Sequence, residues 1–239
     1  MPNYMLRIAF VGTRYHGWQI QPDVPTVQGE ISSALRRMLG EEVRVIGCSR
    51  TDAGVHALDY VANFTAEKEI REEKILKGLN SMLPTDIGIK EVRRVKESFN
   101  ARYSVKGKVY LYRILNQQWR DPFEEPYSWR VPLRINELEM RRAVVMLSGR
   151  HDFGGFAKLE GEKKTTLDLS IEMSRKGNLI SLRFRSRYFL RYMVRRITSA
   201  LVRVGTGRLR AEDLKPFLTG KKFTHTAPAR GLFLEKVIL

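Results

Sequence analysis

The stretch Ser49-Arg50-Thr51-Asp52-Ala53-Gly54-Val55-His56-Ala57 sets the reading of this chain. A short apolar run, Val43 to Ile46, stands before it, and after it Tyr60, Ala62 and Phe64 alternate with period two. That succession reads as strand, loop, strand. The loop carries an acid, a cation two residues earlier and Ala-Gly directly after. Small residues let a ligand or another backbone come close, and Arg50 favours the ionised form of Asp52. Asp-x-Gly is also ordinary turn chemistry, because both residues suit turns for local reasons. Both readings stand on these residues.

Working outward, Leu6, Ile8 and Phe10 alternate within Tyr4 to Thr13 and read as a half-buried first strand. Gly12 to Pro22 mixes glycine, aromatics and polar groups. This mixture suits a surface that stacks on bases, and equally a loop whose Trp18 covers core. Val27, Ile31, Leu35, Met38 and Leu39 fall at helical spacing, with Gly40 to end the helix. Beyond the Asp52 loop, a helix over about 71–82 buries Ile75, Leu79 and Leu83 and stops at Pro84. Ile87, Ile89, Val92 and Val95 suggest a strand with an imperfect period. Residues 1–104 thus read strand, helix, strand, strand, helix, strand, the split βαβ or ferredoxin-like order.

Residues 105–239 begin with a strictly alternating strand, Lys106 to Asn116, with Tyr110, Tyr112 and Ile114 on one face. Two tyrosines on one strand face commonly form packing contacts. Asn136-Glu137-Leu138-Glu139 opens a helix through Met140, Val144 and Leu147. His151-Asp152-Phe153-x-x-Phe156 reads as a capped turn with two core phenylalanines, and Lys158–Lys164 as a mobile basic loop. Ile171 and Met173, a turn at Lys176-Gly177-Asn178, and Ile180, Leu182 and Phe184 make a hairpin. A helix follows, with Leu190, Val194, Ile197, Leu201 and Val204 as its apolar stripe and Arg187, Arg191 and Arg195 stacked four apart beside it. Such an Arg stripe is ordinarily a solvated edge. A short helix at Leu214 to Leu218 and a closing strand end the chain. The expected fold is α+β: two ferredoxin-like halves in one continuous, mainly antiparallel sheet with a central cleft.

Lys and Arg number 43 against 26 Asp and Glu, a formal charge of +17. Spread through folded-looking segments, that excess implies a polyanionic partner, nucleic acid ahead of an anionic membrane. Cys48 is the single cysteine, which rules out an intramolecular disulfide and suits a reducing cytoplasm. Its spacing to the four histidines forms no metal pattern. The start, Met1-Pro2-Asn3-Tyr4, runs into a strand pattern without a secretory signal, and no apolar stretch reaches the roughly 20 residues of a membrane span. Asn63-Phe64-Thr65 is then a chance glycosylation match.

Five stretches, in order, resemble the TruA family of tRNA pseudouridine synthases. They are Gly17-Trp18-Gln19-x-Gln21 with Thr26-Val27-Gln28-Gly29; Arg50 to Ala57; Lys108-x-Tyr110-x-Tyr112-Arg113; Phe189-Leu190-x-x-Met193-Val194-Arg195 with Val204-Gly205-x-Gly207; and Ala227-Pro228-Ala229-x-Gly231-Leu232. His151 to Phe156 also resembles a family motif at the edge of the active site. Ser49 departs from the family's usual Gly, and Thr165-Thr166-Leu167-Asp168 does not carry the Arg that the family places on that strand.

The resemblance implies the pseudouridine synthase fold and isomerisation of uridine to pseudouridine at positions 38, 39 and 40 of the tRNA anticodon stem-loop. It implies a homodimer with no cofactor and no metal. It makes Asp52 the catalytic acid, Tyr110 the residue that stacks on the target base and Arg195 the cation paired with Asp52, with Arg50 the second candidate. Two rivals carry no chemistry: a basic RNA-binding protein and a ribosome-assembly factor. The Asp52 loop discriminates, because an acid facing a polyanion only weakens a pure binder.

Overall fold

A computed structural model describes residues 1–159, 161 and 164–239. The centre of the segment read as a mobile loop, Lys158–Lys164, lies outside the described residues. In chain order the elements are β1 (Asn3–Phe10), α1 (Val27–Leu39), β2 (Ile46–Gly47), β3 (His56–Thr65), α2 (Glu72–Met82) and β4 (Ile87–Val95). Next come β5 (Gly107–Leu115), β6 (Trp129–Arg130), α3 (Glu137–Leu147), β7 (Gly149–Asp152), β8 (Thr166–Lys176), β9 (Leu179–Ser186), α4 (Met193–Gly205) and β10 (Leu232–Ile238). They form two compact units, Met1–Lys106 with Phe233–Leu239, and Gly107–Leu232.

In the first unit β1 lies between β3 and β4, antiparallel to both, with Leu6 opposite Ala62 and Val92. The short β2 pairs with β3, and the last strand returns to run parallel to β3, Phe233 beside His56. The sheet order β4-β1-β3-β2 is that of a split βαβ unit. Tyr4, Leu6, Ile8, Tyr60, Phe64, Ile31, Leu35, Ile75 and Leu79 are fully buried. Each aliphatic side chain among them contributes roughly 1.5–3 kcal/mol by leaving water. Thr26 caps α1 by accepting the Gly29 N–H, and Gly40 ends it in the left-handed conformation at φ 74°. The imperfect period of β4 is a β-bulge. Arg7 faces Glu91 but Ile8 faces Ile89, so Lys90 is the extra residue and every later side chain changes face. Asn63 is 3% exposed and bonded to Asn3 and to the Ala101 N–H, which removes it as a glycan acceptor.

In the second unit β5 pairs with β9, Tyr110 opposite Phe184 and Tyr112 opposite Leu182, and β9-β8-β7 continue antiparallel. The β8–β9 turn has Gly177 at φ 58°, a conformation glycine adopts without strain. Asn136 caps α3 through the Glu139 N–H. Met140, Leu147, Ile197 and Leu201 are buried where α3 packs on α4. One expectation fails. The helix expected through Leu190 begins at Met193, because Tyr192 sits at φ 64°, a left-handed backbone that cannot continue a right-handed helix. Arg187 and Arg191 are therefore off the helix, and only Arg195 of that stripe lies on it. The expected α+β class with mainly antiparallel pairing is what the chain forms.

Candidate active site

The Asp52 loop leaves β2 under an aromatic floor. Gly47 lies so close to the Trp18 and Tyr60 rings that a Cβ would fall 2.2 Å from the Tyr60 hydroxyl. The two rings stack with centroids 4.0 Å apart, and the Tyr60 hydroxyl bonds to the Ser49 main chain. Trp18 is 2% exposed, so of its two readings the core one holds. After Ser49 the chain turns: the Val55 N–H donates to the Asp52 carbonyl at 3.2 Å, and Gly54 takes φ 77°. Asp52 is half-buried, Arg50 on the same loop is exposed, and Thr51 between them is buried.

The segment from Gly12 to Trp18, between β1 and α1, grips this turn through the main chain. The Trp18 N–H donates to the Thr51 carbonyl at 3.4 Å and the Gly54 N–H to the Tyr15 carbonyl at 3.2 Å. The Gly12 N–H donates to Nδ1 of His56 at 3.1 Å. A backbone donor leaves that ring nitrogen as acceptor, so His56 carries no proton there. His56 is 1% exposed and stacks on Phe233 at 4.6 Å. The approach is close enough to require glycine. A Cβ on Gly12 would stand 2.0 Å from the Val55 oxygen, and one on Gly17 2.3 Å from the Thr51 oxygen.

Tyr110 and Arg195 belong to the second unit. Tyr110 is nearly buried on β5, edge-to-face with Phe189 at 4.9 Å. Arg195, in the first turn of α4, donates from Nε to the Ala227 carbonyl at 2.8 Å, and Ala227 returns its N–H to the Arg195 carbonyl. The guanidiniums of Arg191, Arg195 and Arg196 all lie within 6 Å of the Tyr192 ring, favourable contacts around a strained backbone. Tyr112, fully buried, donates to the Pro228 carbonyl at 2.7 Å. Burial pushes its hydroxyl pKa well above the usual tyrosine range, against the opposing charges of Arg195 and Arg230. Gly231 fits beneath the same ring, where a Cβ would fall 2.8 Å from it. Ala227 to Gly231 is therefore the mount for Arg195 and Tyr112.

Asp52 and Arg50 thus share one loop of the first unit, whereas Tyr110 stands on β5 and Arg195 on α4 of the second, each with its own partners. His151 to Phe156 is a capped turn: Asp152 accepts the Gly154 N–H at 2.8 Å, and both phenylalanines are fully buried. Among the described residues no group of three acidic, His or Cys side chains could hold a metal, and no helix is long and apolar enough to cross a membrane. Sequence reasoning missed the supporting roles of Gly12, Gly17, Ala227 and Asp86. Gly17 and Ala227 stand inside quoted motifs and Gly12 close before one, whereas nothing in the local sequence marks Asp86.

The chain is α+β and strongly basic, the make-up of a protein that handles a polyanion such as nucleic acid. Comparison with known proteins narrows the class. The family model described as tRNA pseudouridine synthase matches residues 7–104 and 143–238. The tRNA pseudouridine synthase A of Aquifex aeolicus (strain VF5) is 51% identical over 241 residues, which cover 100% of both chains. The tRNA pseudouridine synthase A 2 of Bacillus anthracis is 41% identical over 99% of both. That of Thermoanaerobacter pseudethanolicus, named tRNA pseudouridine synthase A, is 41% identical over 100% of both. The chain belongs to the tRNA pseudouridine synthase family and is an isomerase of the TruA type.

Proposed function

We propose that this isomerase converts uridine to pseudouridine at positions 38, 39 and 40 of the tRNA anticodon stem-loop, with Asp52 as its catalytic carboxylate. The observation that carries the assignment is the Asp52 turn, half-exposed and gripped by main chain on one side. A group that must meet the same atom of every substrate gains most from such fixing.

The reaction breaks the bond from N1 of uracil to C1′ of the ribose, turns the base, and joins C5 to C1′. The C5 proton is lost and N1 gains one, so atoms balance without a cofactor. Asp52 serves in one of two ways, as the nucleophile on C1′ or as the base that takes the C2′ proton. Either needs the ionised carboxylate in a partly dry site, and Arg195 is the cation that offsets its desolvation, with Arg50 the second. Tyr110 stacks on the uracil once the base has left the helix and assists loss of the C5 proton. In this reading residues 1–104 carry the acid and 105–239 carry Tyr110 and Arg195. The enzyme works as a cytoplasmic homodimer. The resemblance supports the dimer, and the lone cysteine supports the compartment.

The charge of +17 supplies the affinity for the polyanion. Raising salt from 50 to 200 mM should weaken tRNA binding by about 10³-fold for six phosphate contacts. The experiment is direct. An unmodified tRNA transcript is incubated with the protein in buffer containing a chelator, and pseudouridine is mapped base by base. Conversion confined to 38–40 is expected; conversion only elsewhere, or none, would contradict the proposal.

A further inference from the structure

Within the first unit, the segment that grips the Asp52 turn is itself held by one acidic residue outside both. Asp86 lies in the connection between α2 and β4, its side chain 16% exposed. Its main-chain carbonyl accepts the Val11 N–H at 2.9 Å. Its carboxylate accepts the Tyr15 hydroxyl at 2.6 Å on one oxygen and Nε of Arg14 at 2.8 Å on the other. Tyr15 is 4% exposed, and its own carbonyl accepts the Gly54 N–H. A short continuous path therefore runs from Asp86 through the Tyr15 side chain and carbonyl to Gly54, inside the turn that the Asp52 carbonyl closes.

We propose that Asp86 is a positioning residue for this reaction: its carboxylate anchors Tyr15 and Arg14, and the Tyr15 carbonyl then fixes where the Asp52 turn stands. The two halves of the anchor are unequal. Arg14 is two-thirds exposed, and an ion pair in water is worth little. The Tyr15 hydroxyl on an ionised oxygen, away from solvent, is the stronger bond. Burial alone would raise the Asp86 pKa, yet the bonds from Arg14 and Tyr15 outweigh it and hold the carboxyl below its ordinary range. The anchor is thus ionised at any pH near neutrality. Asp86 touches neither Asp52 nor substrate in this account; it acts through Tyr15.

The inference rests on Asp52 being the catalytic carboxylate, and the test separates the two. Asp86→Asn keeps the shape and removes the charge. In this variant kcat should fall about 10- to 100-fold, while KM for an unmodified tRNA transcript stays within about twofold. Hydrogen exchange at the Gly54 amide should quicken, with the amides of the β1–β3 ladder unchanged. If Asp86→Asn does not fold, Tyr15→Phe removes only the hydroxyl and should show the same signature at about fivefold or more. A kcat within about twofold of wild type in a folded variant overturns the inference, as does a rise in KM alone. Exchange that quickens across the whole ladder also overturns it, since that is general loosening. Asp52→Ala is run beside them. If it keeps turnover, the catalytic reading has failed; if it is inert while Asp86→Asn is normal, only the positioning role has failed.

Discussion

The two units hold their candidate residues by different means. In the first, Asp52 sits in a turn held by main chain: Trp18 to Thr51, Gly54 to Tyr15, and Gly12 to the ring of His56. In the second, Arg195 is held by its own side chain, which reaches the Ala227 carbonyl, and Tyr110 by the edge of the Phe189 ring. Main-chain bonds survive most substitutions and fail abruptly where a glycine acquires a side chain. Side-chain bonds fail one at a time, each by a modest amount. The first arrangement suits a group that makes and breaks bonds, and the second suits groups that tune charge and stacking.

The sharpest way to break the comparison is at the glycines. Gly17→Ala adds a Cβ 2.3 Å from the Thr51 oxygen, at a φ of 89° that alanine rarely adopts. Gly12→Ala drives its Cβ into the Val55 carbonyl. Each should cost about 3 kcal/mol of stability by denaturant unfolding. Turnover of the folded fraction should fall by about 10²-fold or more. Near-normal stability and turnover in Gly17→Ala would mean that main chain does not hold the turn.

On the other side of the comparison, losses should be graded. Arg195→Lys keeps a cation but cannot reproduce the Nε bond and should lose about tenfold in kcat; Arg195→Met should lose about 10²-fold. Tyr110→Phe keeps the ring against Phe189 and should bind tRNA normally but turn over poorly. Wild-type rates in all three would separate these residues from the chemistry. A smaller effect is expected at the mount. Tyr112→Phe strands the Pro228 carbonyl and should cost about 1–2 kcal/mol, with activity little changed.

The smallest effect is a pH dependence at Asp86. Its folded pKa lies below the ordinary value of 3.8, so the stability it adds is fully present above that value. It is lost as pH falls through the folded value, because the unfolded chain then binds the proton first. The difference in Tm between wild type and Asp86→Asn should be constant from neutral pH down to about 4.5 and shrink below about 4. A gap that persists unchanged to pH 2 would show that the charge is not what stabilises.

Much of this was legible in the sequence for local reasons. Period-two and period-3.6 patterns fall on β1, α1, α2, α3 and β5 because half-buried elements must alternate apolar and polar faces. The Asp52 segment was legible as a loop between two strands, but on its residues alone an Asp with Gly two places on reads equally as a turn, and the role proposed for Asp52 came from the resemblance. What stayed hidden depends on pairs far apart in sequence. The bulge at Lys90 is a register decision between β1 and β4, and Tyr192 breaks a helix that its own pattern extends. Trp18 could not be assigned to core or surface until Tyr60, some 40 residues away, was seen stacked on it. Asp86 carries no local signal at all. Its role arises from Arg14 and Tyr15, which reach it from another element.

The central claim is that Asp52 does the bond-breaking chemistry while cations elsewhere supply affinity. The measurement is tRNA binding and pseudouridine formation on the same folded Asp52→Ala protein. Affinity should be unchanged or slightly improved, since one anion facing phosphate is gone. Turnover should vanish, because an acceleration of roughly 10⁶-fold or more requires the carboxylate. Pseudouridine formed at a rate near wild type by Asp52→Ala would contradict the account.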